Sequence, residues 1–177
     1  MLKPRLILVL TMIFAAAASR LFPHPPNFTS VTAIALFGGA MLGDWRLAFL
    51  VPLSALFLSD LVLGFHSQMG LVYACFALVV CMGLWLRGRS AWLAIIGATL
   101  ASSLLFFVVV DFGVWLFDGM YPRTLEGLLA CYTAALPFLR NGIEGDLFYA
   151  LVLFGGFALV EHQFPSLRPQ SSGALAA

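Results

Sequence analysis

Two aspartates, Asp60 and Asp111, stand inside otherwise apolar runs of this 177-residue chain. An ionised carboxylate in mid-helix costs about 2.5–3.5 kcal/mol on membrane-insertion scales, so such a residue usually faces a partner, a cavity or a ligand. Asp60 lies about one helical turn, and Asp111 about two turns, from the ends of their runs. If both ends are on one side of a membrane, Arg20, Arg123 and Arg140 are there too, and two readings follow. The carboxylates either form ion pairs that lock helices together, or they line a binding pocket. Three thiols are the second group: Cys75, Cys81 and Cys131. Their odd number and lack of zinc spacing give no disulfide framework. A thiolate is a soft ligand for late or redox-active metals, whereas most buried cysteines are inert. Cys75 lies early in its apolar run, close to Tyr73. Cys81, between Val80 and Met82, reads as a small core residue. Cys131 reads as a second exposed candidate. His24 and His66 fall at the same end as the carboxylates, where they are either solvated loop residues or part of a metal or cofactor pocket.

The elements that must position these groups follow from composition. Hydrophobic residues make up 62% of the chain and charged residues 10%, against roughly 45–50% and 25% in soluble domains. Seventeen charges cannot clothe a soluble surface, which argues against soluble enzymes, nucleic-acid binders and disordered chains. The charges separate apolar runs of about the length a bilayer needs, roughly 20 residues of helix. These runs are Leu6–Ser19, Phe28–Gly43, Leu47–Phe65, Gly70–Leu86, Ala91–Phe117 and Leu147–Val160. The expected fold is an all-α integral membrane bundle of six transmembrane helices over residues 1–164. Thr124–Leu139, with Glu126 and Pro137, is expected as an extra interfacial or partly re-entrant helix. Residues 165–177 are expected to form a disordered cytoplasmic tail.

Lys and Arg near helix ends set orientation. Lys3 and Arg5 place the N-terminus inside, and alternation then puts Arg46, Arg87, Arg89 and Arg168 inside as well. Six basic and two acidic residues thus lie on the inner side, and three basic and six acidic residues on the outer side. Both termini are expected in the cytoplasm. A rival reading of Met1–Ser19 is a signal peptide cleaved near Ala15–Ser19. The Ala15–Ala18 run fits a close helix contact in lipid equally well.

The expected inner turns, Gly43–Arg46 and Arg87–Ser90, are short, whereas the outer segments are chemically rich. Arg20–Phe28 carries Pro23, Pro25 and Pro26, which favour an extended path. No Walker loop, HExxH pair, GxSxG elbow or GxGxxG turn occurs, so an ATP-driven step would need another polypeptide. Gly38-Gly39 and Gly155-Gly156 sit in apolar helices, where close packing explains them better than phosphate binding. Trp115, Tyr121, Tyr132 and Tyr149 suit an interfacial aromatic belt as well as a binding wall.

Several segments together carry a resemblance. Arg20-Leu-Phe-Pro-His-Pro-Pro-Asn-Phe-Thr-Ser-Val31, Ala35-Leu-Phe-Gly-Gly-Ala40 and Leu58-Ser-Asp-Leu-Val-Leu-Gly-Phe-His66 are three of them. Asp111-Phe-Gly-Val-Trp-Leu-Phe-Asp-Gly-Met-Tyr-Pro-Arg123 and Leu136-Pro-Phe-Leu-Arg-Asn-Gly142 complete the set. Over residues 15–160 the chain resembles the substrate-binding (S) components of energy-coupling-factor vitamin transporters, most of all the solitary BtuM-like cobalamin transporters. The resemblance implies six helices, cytoplasmic termini, an outer pocket capped by loops, and an energising module as a candidate partner. It implies cobalamin or a related corrinoid as the bound substrate, with a cysteine that coordinates cobalt and displaces cyanide.

Cys75 is the residue best placed for that role, with Cys131 as the alternative. His24, Asn27, Asp60, His66, Tyr73, Asp111, Trp115, Tyr121, Arg123, Arg140 and Asn141 are the candidate substrate-binding residues. Aromatic members would wall a corrinoid cleft, and the polar ones would bind its amides or phosphate. Two rival readings stand beside this one. One is a related carrier of a different vitamin or metal chelate, and the other a small membrane enzyme or scaffold with structural aspartates.

Overall fold

A computed structural model describes residues 4–65, 67–89 and 91–167. Among them there are helices and no β-strand. Helix α1 spans Pro4–Ala18 and runs into a 3-10 turn, Ser19–Leu21. Helices α2 (Val31–Met41), α3 (Trp45–Leu63), α4 (Met69–Trp85) and α5 (Trp92–Phe117) follow. Helix α6 (Leu125–Ala150) passes through a π-helical turn, Leu151–Gly155, straight into α7 (Gly156–Gln163). A 3-10 turn over Pro165–Leu167 closes the described chain.

Helix boundaries have local causes. Pro4 takes the first position of α1, where its missing N–H is no loss. Asp44 caps α3 by accepting from the Arg46 N–H (2.7 Å), and Thr124 caps α6 by accepting from the Gly127 N–H (3.2 Å). Gly64, at φ +97°, turns the chain out of α3. At the opposite end Arg5 pairs with Glu161 (2.6 Å) and donates to the Leu167 carbonyl (3.3 Å). That contact ties the first helix to the last.

The core is built around α2. All nine residues from Val31 to Gly39 are buried, and Phe37 meets Phe154 and Phe157 edge-on at 5.3 and 5.8 Å. Glycine lets the α2 and α4 backbones touch. A Cβ on Gly39 would stand 2.5 Å from the Val80 carbonyl oxygen and 2.8 Å from Gly83 Cα, and a Cβ on Gly83 would run into the Leu36 carbonyl. Pro52 of α3 fills the notch at Gly38. The close packing read into Gly38-Gly39 is present, whereas Gly155 and Gly156 have only ordinary surroundings.

Outward-facing positions are apolar: Leu93, Leu125 and Val62 are 82%, 71% and 70% exposed. Four helical stretches are long and apolar enough to cross a membrane: Pro4–Leu21, Trp45–Leu63, Trp92–Phe117 and Leu125–Gln163. The other two apolar helices are shorter, α4 having 17 residues and α2 having 11. At 1.5 Å per residue α2 is roughly 16 Å long, about half a hydrocarbon core.

Three expectations change. The separate interfacial helix over Thr124–Leu139 does not exist, because the helix continues through residues 140–146. That stretch looks like a loop in sequence, but its polar groups find partners while helical. Arg140 pairs with Glu144 (2.9 Å), Asn141 donates to the Pro26 carbonyl (3.0 Å), and Asp146 accepts from Ser103 (2.7 Å). Cys81 is exposed on the apolar exterior rather than in the core, and Cys131 is buried rather than exposed. Lys3, Arg168 and the tail from residue 168 lie outside the described residues.

Gly83→Val should lower stability by about 1–3 kcal/mol, the usual cost of overpacking. Gly97→Ala, where an added Cβ meets nothing within 4 Å, should leave it unchanged or slightly raised. Thermal unfolding of the two variants in one detergent compares them directly.

Candidate functional site

A cavity of about 390 Å³ opens between the helices at the end of the bundle where α1, α3 and α5 finish and α4 and α6 begin. The segment after α1 supplies Arg20, Asn27 and Thr29, and α2 adds Val31 and Thr32. Leu56 and Asp60 come from α3, and Gln68, Val72 and Phe76 follow one face at the start of α4. Five α5 residues contribute: Ser103, Phe106, Phe107, Val110 and Asp111. Their spacing of i, i+3, i+4, i+7 and i+8 is that of a single helical face. Phe138, Leu139, Gly142 and Asp146 of α6 complete the wall.

One side of the cavity is held by an ion pair. Arg20 Nη1 donates to Asp60 Oδ1 at 2.8 Å, with the two side chains 15% and 5% exposed. Arg20 also donates to the Ser59 hydroxyl, and the Tyr73 hydroxyl donates to Asp60 Oδ2 at 2.9 Å. Both carboxylate oxygens of Asp60 are thus occupied. The pair joins the segment after α1 to α3, and Tyr73 adds α4, so three elements meet at one carboxylate.

The opposite side differs. Asp146 is buried, lines the cavity and accepts from Ser103 Oγ at 2.7 Å. Asp111 is half-buried and lines it nearer the loops. Neither forms a salt bridge among the described residues.

The helices part to leave this space. Cys131 Sγ of α6 donates to the Asp111 carbonyl of α5 at 3.4 Å, and fifteen residues further on Asp146 meets Ser103. On α5 those two contacts are only eight residues apart. The intervals are roughly 22 Å of α6 against 12 Å of α5, so α6 crosses steeply or bends between them. Pro137 lies in that stretch and leaves the Thr133 carbonyl without its helical N–H donor. The cavity residues Phe138, Leu139 and Gly142 follow directly.

The structure brings Asn27, Asp60 and Asp111 to the cavity, with Tyr73 behind Asp60. Cys75 is buried and does not line it, because Gln68, Val72 and Phe76 occupy the cavity face of α4 and Cys75 lies one position round from Phe76. His24 and Arg123 are exposed, and Arg140 is exposed and paired with Glu144. Trp115 donates to the Pro122 carbonyl (3.0 Å), Tyr121 shares that loop, and neither reaches the cavity. Asn141 acts one step removed, holding Pro26 and so the Asn27 segment. His66 lies outside the described residues. Among the described residues no three His, Cys, Asp or Glu side chains converge as a metal site.

A family model covers residues 1–167 and is described as a family of unknown function, DUF6580. The chain belongs to DUF6580. No curated protein and no solved structure matches it. The site of this family member must therefore be read from its own residues, and sequence reasoning missed several of them. Asp146, Ser103, Thr32 and Gln68 lie outside the residues singled out by type and spacing, Asp146 because the residues around it have the composition of a loop. The signal for Ser103 was its place on the same helical face as Asp111.

Asp60→Asn should destabilise the protein by roughly 3–5 kcal/mol, because it strands a buried guanidinium. The Asp60→Asn/Arg20→Gln double variant should recover part of that loss, measured by thermal unfolding in detergent.

Proposed function

We propose that this DUF6580 protein is an integral membrane carrier that binds a small molecule at one end of the bundle and delivers it to the other side. The observation that carries this reading is the cavity between the helices, walled by aromatic and aliphatic side chains and set with a few polar groups. That composition is the usual one for a small-molecule site. Six helices cross or enter the membrane, with both termini cytoplasmic and the cavity open to the periplasm across the inner membrane. The basic residues beside the expected inner turns and the resemblance to S components support that orientation. An ATP-driven energising module on a separate chain is the partner the resemblance implies.

The occupant is a compact, vitamin-sized molecule. A cavity of about 390 Å³ lies toward the small end of the roughly 300–1,000 Å³ typical of drug-sized ligands. This favours the reading in which an S-component-like carrier takes a ligand other than a corrinoid. Cobalamin is the second reading, and the position of Cys75 next to the wall residue Phe76 favours it. It requires the Asn27 segment and the first half of α6 to move apart, and α4 to turn the thiol toward the opening.

Thermal-shift and binding measurements over a vitamin panel that includes cobalamin decide between the two. The compact-ligand reading expects a small member to bind wild type, with affinity lost at least tenfold in Gly142→Leu, which fills the cavity. Cobalamin binding, with a thiolate–cobalt absorption band absent from Cys75→Ala, would establish the second reading in its place. Orientation is tested in a cysteine-free background with a membrane-impermeant maleimide on spheroplasts. His24→Cys should label and Arg46→Cys should not; the reverse pattern would invert the topology.

A further inference from the structure

Among the described residues, the charges around the cavity do not balance. Arg20 is the cavity's one basic side chain among the described residues, and it is committed to Asp60 and Ser59. Asp146 and Asp111 therefore face the same space with no cation of their own among the described residues. Asp146 is 5% exposed, and the hydroxyls of Ser103 and Thr32 give it hydrogen bonds without neutralising it. The other described arginines are occupied or distant. Arg5 pairs with Glu161, and Arg87 donates to the Gly39 carbonyl at the far end. Arg46 and Arg89 also lie at that end, Arg140 pairs with Glu144, and Arg123 is exposed beyond the rim. Lysine occurs only at position 3.

A carboxyl group deep in an apolar bundle without a partner stays protonated unless something of opposite charge enters beside it, and it is then a site for that charge. Asp146 lies at the level of Ser103, and Asp111 is eight residues nearer the loop end of α5, roughly 12 Å along the axis. An entering ligand meets Asp111 first and Asp146 at the floor. Between them lie Phe106 and Phe107 of α5, with Phe76 of α4 stacked on Phe106 at 5.3 Å. Ring faces attract cations electrostatically and accept apolar bodies.

We infer that the cavity selects a small organic cation, an ammonium or amidinium whose charged group docks at Asp146 while its apolar body lies against the phenylalanines. This rests on the carrier reading above and narrows it to a class of substrate. Asp111 attracts the cation at the mouth, and the Arg20–Asp60 pair sets the rim without competing for the charge.

The test compares three probes of one shape on full-length protein in nanodiscs: benzyltrimethylammonium, benzyl alcohol and benzoate, with binding followed by calorimetry and thermal shift. The expected result is that benzyltrimethylammonium binds at least tenfold more tightly than either of the others. Asp146→Asn should remove that preference while leaving the weak binding of benzyl alcohol in place. Asp111→Asn, which removes the carboxylate at the mouth, should lower the preference and serves as the check if Asp146→Asn does not fold. Equal or tighter binding of benzyl alcohol or benzoate would overturn the inference. So would a vitamin panel in which only neutral or anionic members bind, and that outcome would leave the carrier reading standing. If neither the probes nor any panel member binds, the carrier reading fails and this inference with it.

Discussion

Asp60 must be neutralised where it lies, one turn inside the end of an apolar helix, and the means of neutralising it organises the loop-rich half of the molecule. Arg20 reaches it from the segment after α1 at 2.8 Å, and Tyr73 reaches it from α4 at 2.9 Å. A buried carboxylate without those partners would be costly. The segment that carries Arg20 is therefore held against α3, and the extended, proline-rich stretch behind it is laid across the end of the bundle. Asn141 then holds that stretch from the other side through the Pro26 carbonyl. The Asn27–Thr29 part of the cavity wall is a consequence of these two attachments.

The opposite half rests on a different constraint. Helix α2 is too short to cross a bilayer and is enclosed by its neighbours, so its fit depends on backbone approach rather than on side-chain volume. Gly39 and Gly83 permit that approach on the α4 side, and Gly38 against Pro52 permits it on the α3 side. Between the tight half around Gly39 and the tied, loop-rich half, α6 leaves α5 near Pro137 and returns at Asp146. The cavity occupies the interval. Its position thus follows from a helix that cannot run parallel to its neighbour, not from a loop closing over a groove.

Much of the fold was legible along the chain. The runs read as helices from their apolar length appear at α1 to α5 with boundaries shifted by only a few residues. The partner of Asp60 was among three arginines read from position alone. Residues 140–146 are helical where their composition points to a loop. Residues 140–146 carry Arg, Asn, Glu, Asp and two glycines, a composition that belongs to loops when its partners are unknown. Those partners are Pro26 and Ser103, more than forty residues away in sequence. Cys75 shows the same limit at a finer scale. Its depth in α4 was readable, but which of two adjacent residues faces the cavity depends on how α4 is turned against α2.

The sequence by itself determined an all-helical chain with apolar lengths suited to a bilayer, a strong segregation of charge, and two carboxylates that needed an explanation. These are properties of runs and spacings, and helical periodicity is local. Only the tertiary structure decided which carboxylates are satisfied and which face an open cavity. Asp60 has its cation, whereas Asp111 and Asp146 share a space without one among the described residues, because pairing depends on distances across helices that no spacing along the chain encodes. The same physical reason put Asp146 on the wall of the cavity and left Cys75 behind it.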